Sequence, residues 1–308
     1  MLLLLAVLPG LFWDAAPDTA PALKGAGIAQ IAVPRSRVGA WKAVDGISVR
    51  PADLDGATKL LAPLVNYRMQ EATATAAPWV IANGWKFIRR PDDRYYYDVA
   101  GKQTALAAAE AFAYAVPALI RSDADGLQPL GQMLHFLAGV PGDPLPAVAD
   151  IGYIDDGSAL SGEVMNLMVR NNLLFKLVRA PDKSLKLNVQ LGSRDYPLAD
   201  AKNPGTMAHQ VRYHLTDDKR SLRIYGSPVV VARLTGSGDH LRLHLLNYAG
   251  AARKVDGIRV RVLGQFSKHQ LWMADGAGVD LMDYTVDDQA TEFTLPELKM
   301  YAVVDLSR

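Results

Sequence analysis

Hydrophobic and polar positions alternate most regularly in the last third of the chain. From Ser221 onward, eight short apolar runs are separated by turn residues: Leu222–Tyr225, Val229–Leu234, His240–Tyr248, Ile258–Leu263, Gln270–Met273, Val279–Tyr284, Thr291–Leu295 and Met300–Leu306. Runs such as RLHLLNY and RVRV put apolar side chains on one face and polar ones on the other, which predicts an antiparallel β-sandwich. The first 145 residues have a different texture, with short strands alternating with helices. Leu11–Asp14, Ile28–Val33, Ile47–Arg50 and Trp79–Asn83 read as strands, and a helix over Pro17–Leu23 ends at Gly25 and Gly27. The alanine-rich run Gly101–Ile120 predicts a long helix, and Leu130–Leu137 a shorter amphipathic one.

A Pro/Gly-rich stretch, Val140–Pro146, reads as a linker. A second α/β block follows it. There Val148–Ile154, Leu173–Val178 and Leu185–Leu191 are expected strands, and Ser158–Asn171 and Thr206–Leu215 expected helices, the first opened by a serine cap. The predicted fold class is thus α/β followed by all-β. The expected domains are 1–145, an abbreviated (β/α) barrel-like or open parallel-sheet region; 146–220, a small α/β block; and 221–308, the sandwich.

Composition narrows the function. Lys and Arg number 33 against 32 Asp and Glu, so no basic excess exists to neutralise phosphates, and nucleic acid is not an expected partner. Cysteine is absent, which excludes thiol catalysis, disulfides and cysteine-held metals. Of the six histidines, only His240 and His244 stand four apart, and on a strand that spacing is about 13 Å. No metal and no cofactor are expected. No G-x-G-x-x-G opens a helix, Gly157–Gly162 lacks the nucleophile-elbow spacing, and no phosphate-cradling loop occurs. The opening MLLLLAVLPG reads either as the apolar core of an export signal, giving a periplasmic or secreted protein, or as a first strand of a cytoplasmic one. Ten residues cannot span a bilayer.

The C-terminal runs LRLHLLNY, GIRVRVLG and TEFTLPELKMYAVVDL resemble the small β-sandwich that ends many bacterial glycoside hydrolases. The middle block resembles a shrunken flavodoxin-like (glutamine-amidotransferase-like) domain of family 42 β-galactosidases. LFWD, the turn into Gly27-Ile28 and PWVIANGW are similar to barrel strands of the same broad group. The resemblance implies a protein acting on or binding a carbohydrate, with a carboxylate pair if it is catalytic. A closed (β/α)₈ barrel takes about 250 residues, and the linker here already begins at Val140. No glutamate-centred strand end matches the family's catalytic pair, so no catalytic residue is carried over.

The residues themselves supply the candidates. Asp14 and Asp98 end strands, where catalytic carboxylates of α/β enzymes stand. Asp155 and Asp156 also follow a strand, where helix capping is the alternative role. Glu110, alone among alanines, reads as a solvated or ion-paired acid, the alternative being a buried one whose raised pKa would suit a general acid. Trp79, Asn83 and Trp85, at alternate spacing on one extended segment, join Trp13, Arg90 and Tyr96 as the expected sugar-binding set. Arg89, Arg90 and Arg94 near Tyr95–Tyr97 suit an anionic sugar or simply a solvated loop. The rival expectations are a non-catalytic carbohydrate-binding or scaffolding protein and a homo-oligomer whose cleft needs a neighbouring copy.

Overall fold

The computed structural model describes residues 8–70, 73–142, 144–274, 276 and 278–308. Most of the opening segment read as a leader or first strand lies outside the described residues. In chain order the first elements are β1 (Gly10–Phe12), α1 (Ala20–Gly25), β2 (Gln30–Pro34), α2 (Val38–Trp41), β3 (Ser48–Ala52), β4 (Thr58–Leu60), β5 (Leu64–Gln70), β6 (Thr73–Ile81) and α3 (Gly84–Arg89). There follow β7 (Tyr95–Asp98), α4 (Gln103–Ala113), β8 (Leu119–Arg121), α5 (Leu127–Gly139), β9 (Ile151–Ile154), α6 (Ala159–Arg170), β10 (Phe175–Leu177), β11 (Leu187–Gln190), α7 (Leu198–Ala201) and α8 (Pro204–Leu215). The last eight are β12 (Leu222–Tyr225), β13 (Val230–Ser237), β14 (His240–Asn247), β15 (Val255–Leu263), β16 (Lys268–Met273), β17 (Met282–Val286), β18 (Ala290–Leu298) and β19 (Tyr301–Ser307). They form two compact units, Met1–Leu64 with Arg90–Pro144, and Val65–Arg89 with Leu145–Arg308.

The first unit is built on a six-stranded parallel sheet ordered β3-β2-β1-β8-β7-β4. Within the unit each strand lies beside its neighbour in the chain except at the step from β3 to β4, and the last, β8, lies beside the first. The pairing is therefore cyclic with one break, and β3 and β4 are the two edges. Leu60, Tyr97, Ile120, Leu11 and Ile31 make one row across the sheet and are buried on the face that the helices cover. Alanine allows α4 to be buried nearly all round, since small side chains let neighbours close on every side. The expected helix Gly101–Ile120 stops at Ala113. Ala115 takes φ +54°, and Pro117 disfavours helix at the residue before it, so the following residues extend into β8. Gly131 of α5 touches the end of α1: a Cβ there would sit 1.8 Å from the Ala26 carbonyl oxygen.

The second unit contains a three-stranded parallel sheet, β10-β9-β11, with α8 against β11 and α6 against α8. The Ser158 side chain accepts from the Ser161 N–H and caps α6, as the sequence predicts. The excursion over residues 65–89 ends in α3, which packs on α6 where Gly162 leaves room for Trp85 and Arg89. Arg89 donates from Nε and Nη2 to the Asp155 carboxylate at 2.8 and 2.9 Å, and from Nη2 to the Ser158 carbonyl. All eight C-terminal strands form, in two antiparallel sheets, β12-β15-β18-β17 and β13-β14-β19-β16. Ile258, Val260 and Phe293 of one sheet share a core with Leu234, Leu243 and Val304 of the other. Asn172 fastens the α/β block to this sandwich, with Nδ2 donating to the Val230 carbonyl and Oδ1 accepting from the Ala232 N–H.

Candidate functional site

Alternation along parallel strands puts a second set of side chains on the face of the first unit's sheet opposite its helices. Register joins Lys59 to Tyr96 and Tyr96 to Leu119; in the adjoining row Asp98, Arg121, Phe12, Ala32 and Arg50 follow one another across the sheet. Phe12, Ala32 and Leu119 form an apolar floor, with Tyr96, Ala52 and Leu54 packed against it. At the carboxyl ends of the strands the row becomes charged. Asp98 accepts from Arg121 Nε at 3.1 Å, from Arg121 Nη2 at 2.6 Å and from Lys59 Nζ at 2.8 Å. The hydrogen bonds from Arg121 and then Lys59 hold its pKa down at about 2. The same Asp98 bond raises the pKa of Arg121, and the negative charge of Asp14 adds to the effect, which brings Asp14 within electrostatic reach of the row.

This arrangement fixes what the groups can do. A carboxylate with a pKa near 2 carries no proton to donate, and three charge-assisted hydrogen bonds leave little lone-pair density for attack. Asp98 instead orients Arg121 and Lys59, which keep further N–H groups for a ligand. Cationic donors, a carboxylate and a half-buried tyrosine ring on one face suit hydroxyl groups and the C–H face of a sugar, while Phe12, Ala32 and Leu119 beneath them are buried packing.

Of the residues singled out in the sequence, Asp14, Tyr96 and Asp98 lie at this part of the first unit, Asp14 exposed just beyond β1. Trp13 is 5 % exposed, and its Nε1–H donates to Thr19 Oγ1 at 2.9 Å, so the indole is part of the packing. The exposed Arg90 faces Asp93 at 3.7 Å. Arg94 donates to the carbonyls of Asp53 and Asp55.

Trp79, Asn83 and Trp85 stand in the second unit. They do not share one extended segment: β6 ends at Ile81, the Asn83 carbonyl accepts from the Lys86 N–H, and Trp85 is helical. The Arg170 guanidinium lies 3.7 Å from the Trp79 ring centre, and Trp85 packs on Gly162. Asp155 is paired with Arg89, and Asp156 accepts from the N–H of Ser158, the residue that itself caps α6. Glu110 is fully buried rather than solvated, and accepts from the Tyr97 hydroxyl at 2.7 Å.

Arg121 and Lys59 were missed by sequence reasoning. Arg121 directly follows the stretch that reads as one long helix, and Lys59 belongs to a three-residue edge strand with no pattern of its own. Among the described residues no group of three His, Asp or Glu is placed to hold a metal ion, and no helix is long and apolar enough to cross a membrane.

No family model and no curated protein matches the sequence. Solved structures do match. The α-L-fucosidase isoenzyme 2 from Paenibacillus thiaminolyticus aligns with 72 % of this chain and 62 % of its own, at a TM-score of 0.54 and 8 % identity. The fold is glycoside-hydrolase-like. A catalytic mutant of a GH42 β-galactosidase from G. stearothermophilus aligns with 97 % of this chain and 60 % of its own, at a TM-score of 0.35 and 8 % identity. A GH30 endoxylanase from Clostridium papyrosolvens C71 does so over 98 % and 97 %, at 0.23 and 10 %. These last two scores decide nothing. The chain spans less than two thirds of the length of the fucosidase and the galactosidase.

Proposed function

We propose that this glycoside-hydrolase-like chain binds a carbohydrate at the Asp98, Arg121 and Lys59 cluster on the first unit's sheet without hydrolysing it. The observation that carries this reading is the Asp98 carboxylate, ionised and held on both oxygens by Arg121 and Lys59. A glycosidase needs one protonated and one free carboxyl group at its cleft. The likeness to a fucosidase fold supports the carbohydrate class, and the cyclic strand order supports a barrel-like ancestry for residues 1–145. The β10-β9-β11 order, first strand central, supports a small flavodoxin-like block over 146–220, ahead of the sandwich at 221–308.

A glycan array followed by calorimetry tests the reading. Saturable binding that falls at least tenfold in Asp98→Asn, with no hydrolysis of aryl-glycosides, is the expected result. Binding indifferent to Asp98→Asn overturns it.

One observation favours hydrolysis as the second reading. Asp14, just beyond β1, and Asp98, the last residue of β7, stand on either side of β8 at the carboxyl end of the sheet, where paired carboxylates of α/β enzymes act. Turnover of an aryl-glycoside by the wild type, lost in Asp14→Asn, establishes that reading in place of the first.

A further inference from the structure

The opposite end of the same strands holds a second feature. A hollow of about 400 Å³ opens at the amino-terminal edge of β1, β2 and β3, beside α5, a volume in the range of small-molecule sites. Its walls are mostly apolar, Ile31 and Leu134 among them, and four polar side chains join them: Arg50, Gln30, Ser48 and His135. None of the residues lining it is acidic. The guanidinium reaches in because Gly10 has no side chain: a Cβ there would sit 3.1 Å from Arg50 Nη2. Ala32, beside Arg50 in the row, leaves the path across β2 clear.

At the carboxyl end, Arg121 and Lys59 are balanced by Asp98. Arg50 has no such balance, for among the described residues no carboxylate pairs with it and no hydrogen bond engages its side chain. A planar fork of N–H donors, uncompensated and exposed at the rim of a mostly apolar hollow, matches a carboxylate in shape and charge. Gln30 and Ser48 add neutral polar groups beside it.

We propose that this hollow is a binding site for a small organic carboxylate with an apolar body. Arg50 takes the carboxylate in a two-point contact, and the body rests against the apolar wall at Leu134 of α5. Arg50 and Ala32 share a row with Asp98 and Arg121, but Asp98, Arg121 and Lys59 do not line the hollow, so the site does not depend on them.

Phenylacetate, 2-phenylethanol, phenylethylammonium and inorganic phosphate, each titrated into the full chain by calorimetry, test the proposal. Phenylacetate is expected to bind saturably at one site, and the alcohol, the ammonium and phosphate at least tenfold more weakly. Arg50→Gln is expected to weaken phenylacetate at least tenfold, and Ala138→Trp, which fills the hollow from α5, to abolish its binding. Asp98→Asn is expected to leave it unchanged, so failure here and failure of the sugar reading are told apart. Both hollow variants change partly or fully exposed positions, and unchanged circular dichroism checks their fold. An alcohol or phosphate bound as tightly as phenylacetate overturns the proposal, as does wild-type affinity in Arg50→Gln or no phenylacetate binding at millimolar concentration.

Discussion

Two buried or half-buried acids in the first unit show how environment assigns a role to the same functional group. Glu110 sits fully buried in α4 and takes a hydrogen bond from Tyr97. Removing that donor in Tyr97→Phe is expected to cost about 1–3 kcal/mol, read from the shift in urea midpoint. Asp98 is the opposite case, a partly exposed carboxylate kept charged by two cations. Its pKa falls from the usual 3.8 to about 2, so its ion pairs add stability that is complete above pH ~4 and is lost as pH falls through ~2. Asp98→Asn is expected to remove about 1–2 kcal/mol at neutral pH, and the loss shrinks to nothing below pH 2. Acid titrations of the two proteins, followed by circular dichroism, check the convergence. Neither role was visible in the sequence: Glu110 among alanines looks the same whether its face is wet or buried, and the partners of Asp98 lie 39 and 23 residues away.

Elements were legible where a period is long enough to repeat. In β15, Ile258, Val260 and Val262 enter the core while Arg259 and Arg261 take the alternate face, where Arg261 is itself buried beside Glu292, and the strand was read with only its start misplaced. The alanine run was read too long because helix propensity does not fall at Ala115, where a single left-handed residue ends it. Trp79, Asn83 and Trp85 misled for a related reason. Alternate spacing means a shared face only while the backbone stays extended, and here it turns helical at Gly84. Helix contacts without a sequence period remain testable. Gly131→Ala forces a methyl group into the Ala26 carbonyl, so α5 must move off α1, and a loss of about 1–3 kcal/mol is expected in thermal melts.

For the whole molecule, the discontinuous first unit was the least legible feature. Local pattern cannot say that residues 65–89 leave one sheet and fold with residues far downstream, because the contacts that hold them there are long-range. Arg89 is one of them, meeting Asp155 across 66 positions. Arg89→Met is expected to leave Asp155 without its cation and to raise hydrogen exchange in α3 at least tenfold, measured by mass spectrometry.

In the sandwich, His244 is buried against the Tyr301 hydroxyl at 2.6 Å. Burial, with Arg242 and Arg233 nearby, lowers its pKa to about 3 from 6.5. The unfolded chain therefore binds the proton first. Stability is full above pH ~6.5 and declines as pH drops toward 3, a window higher than that of Asp98. His244→Gln is expected to flatten the decline between pH 6 and 4 in urea titrations.

The place of β1 at the middle of its sheet also has a consequence for synthesis. Ile31, one partner of Leu11, is made about 20 residues after it, but the other partner, Ile120, is made about 110 residues later, roughly 5–20 s at ordinary translation speed. Throughout that interval the edge of β1 that will face β8 has its amides and carbonyls unmatched. The nascent chain, more than the finished protein, is the form exposed to mispairing, and the codons read before Ile120 set how long that exposure lasts.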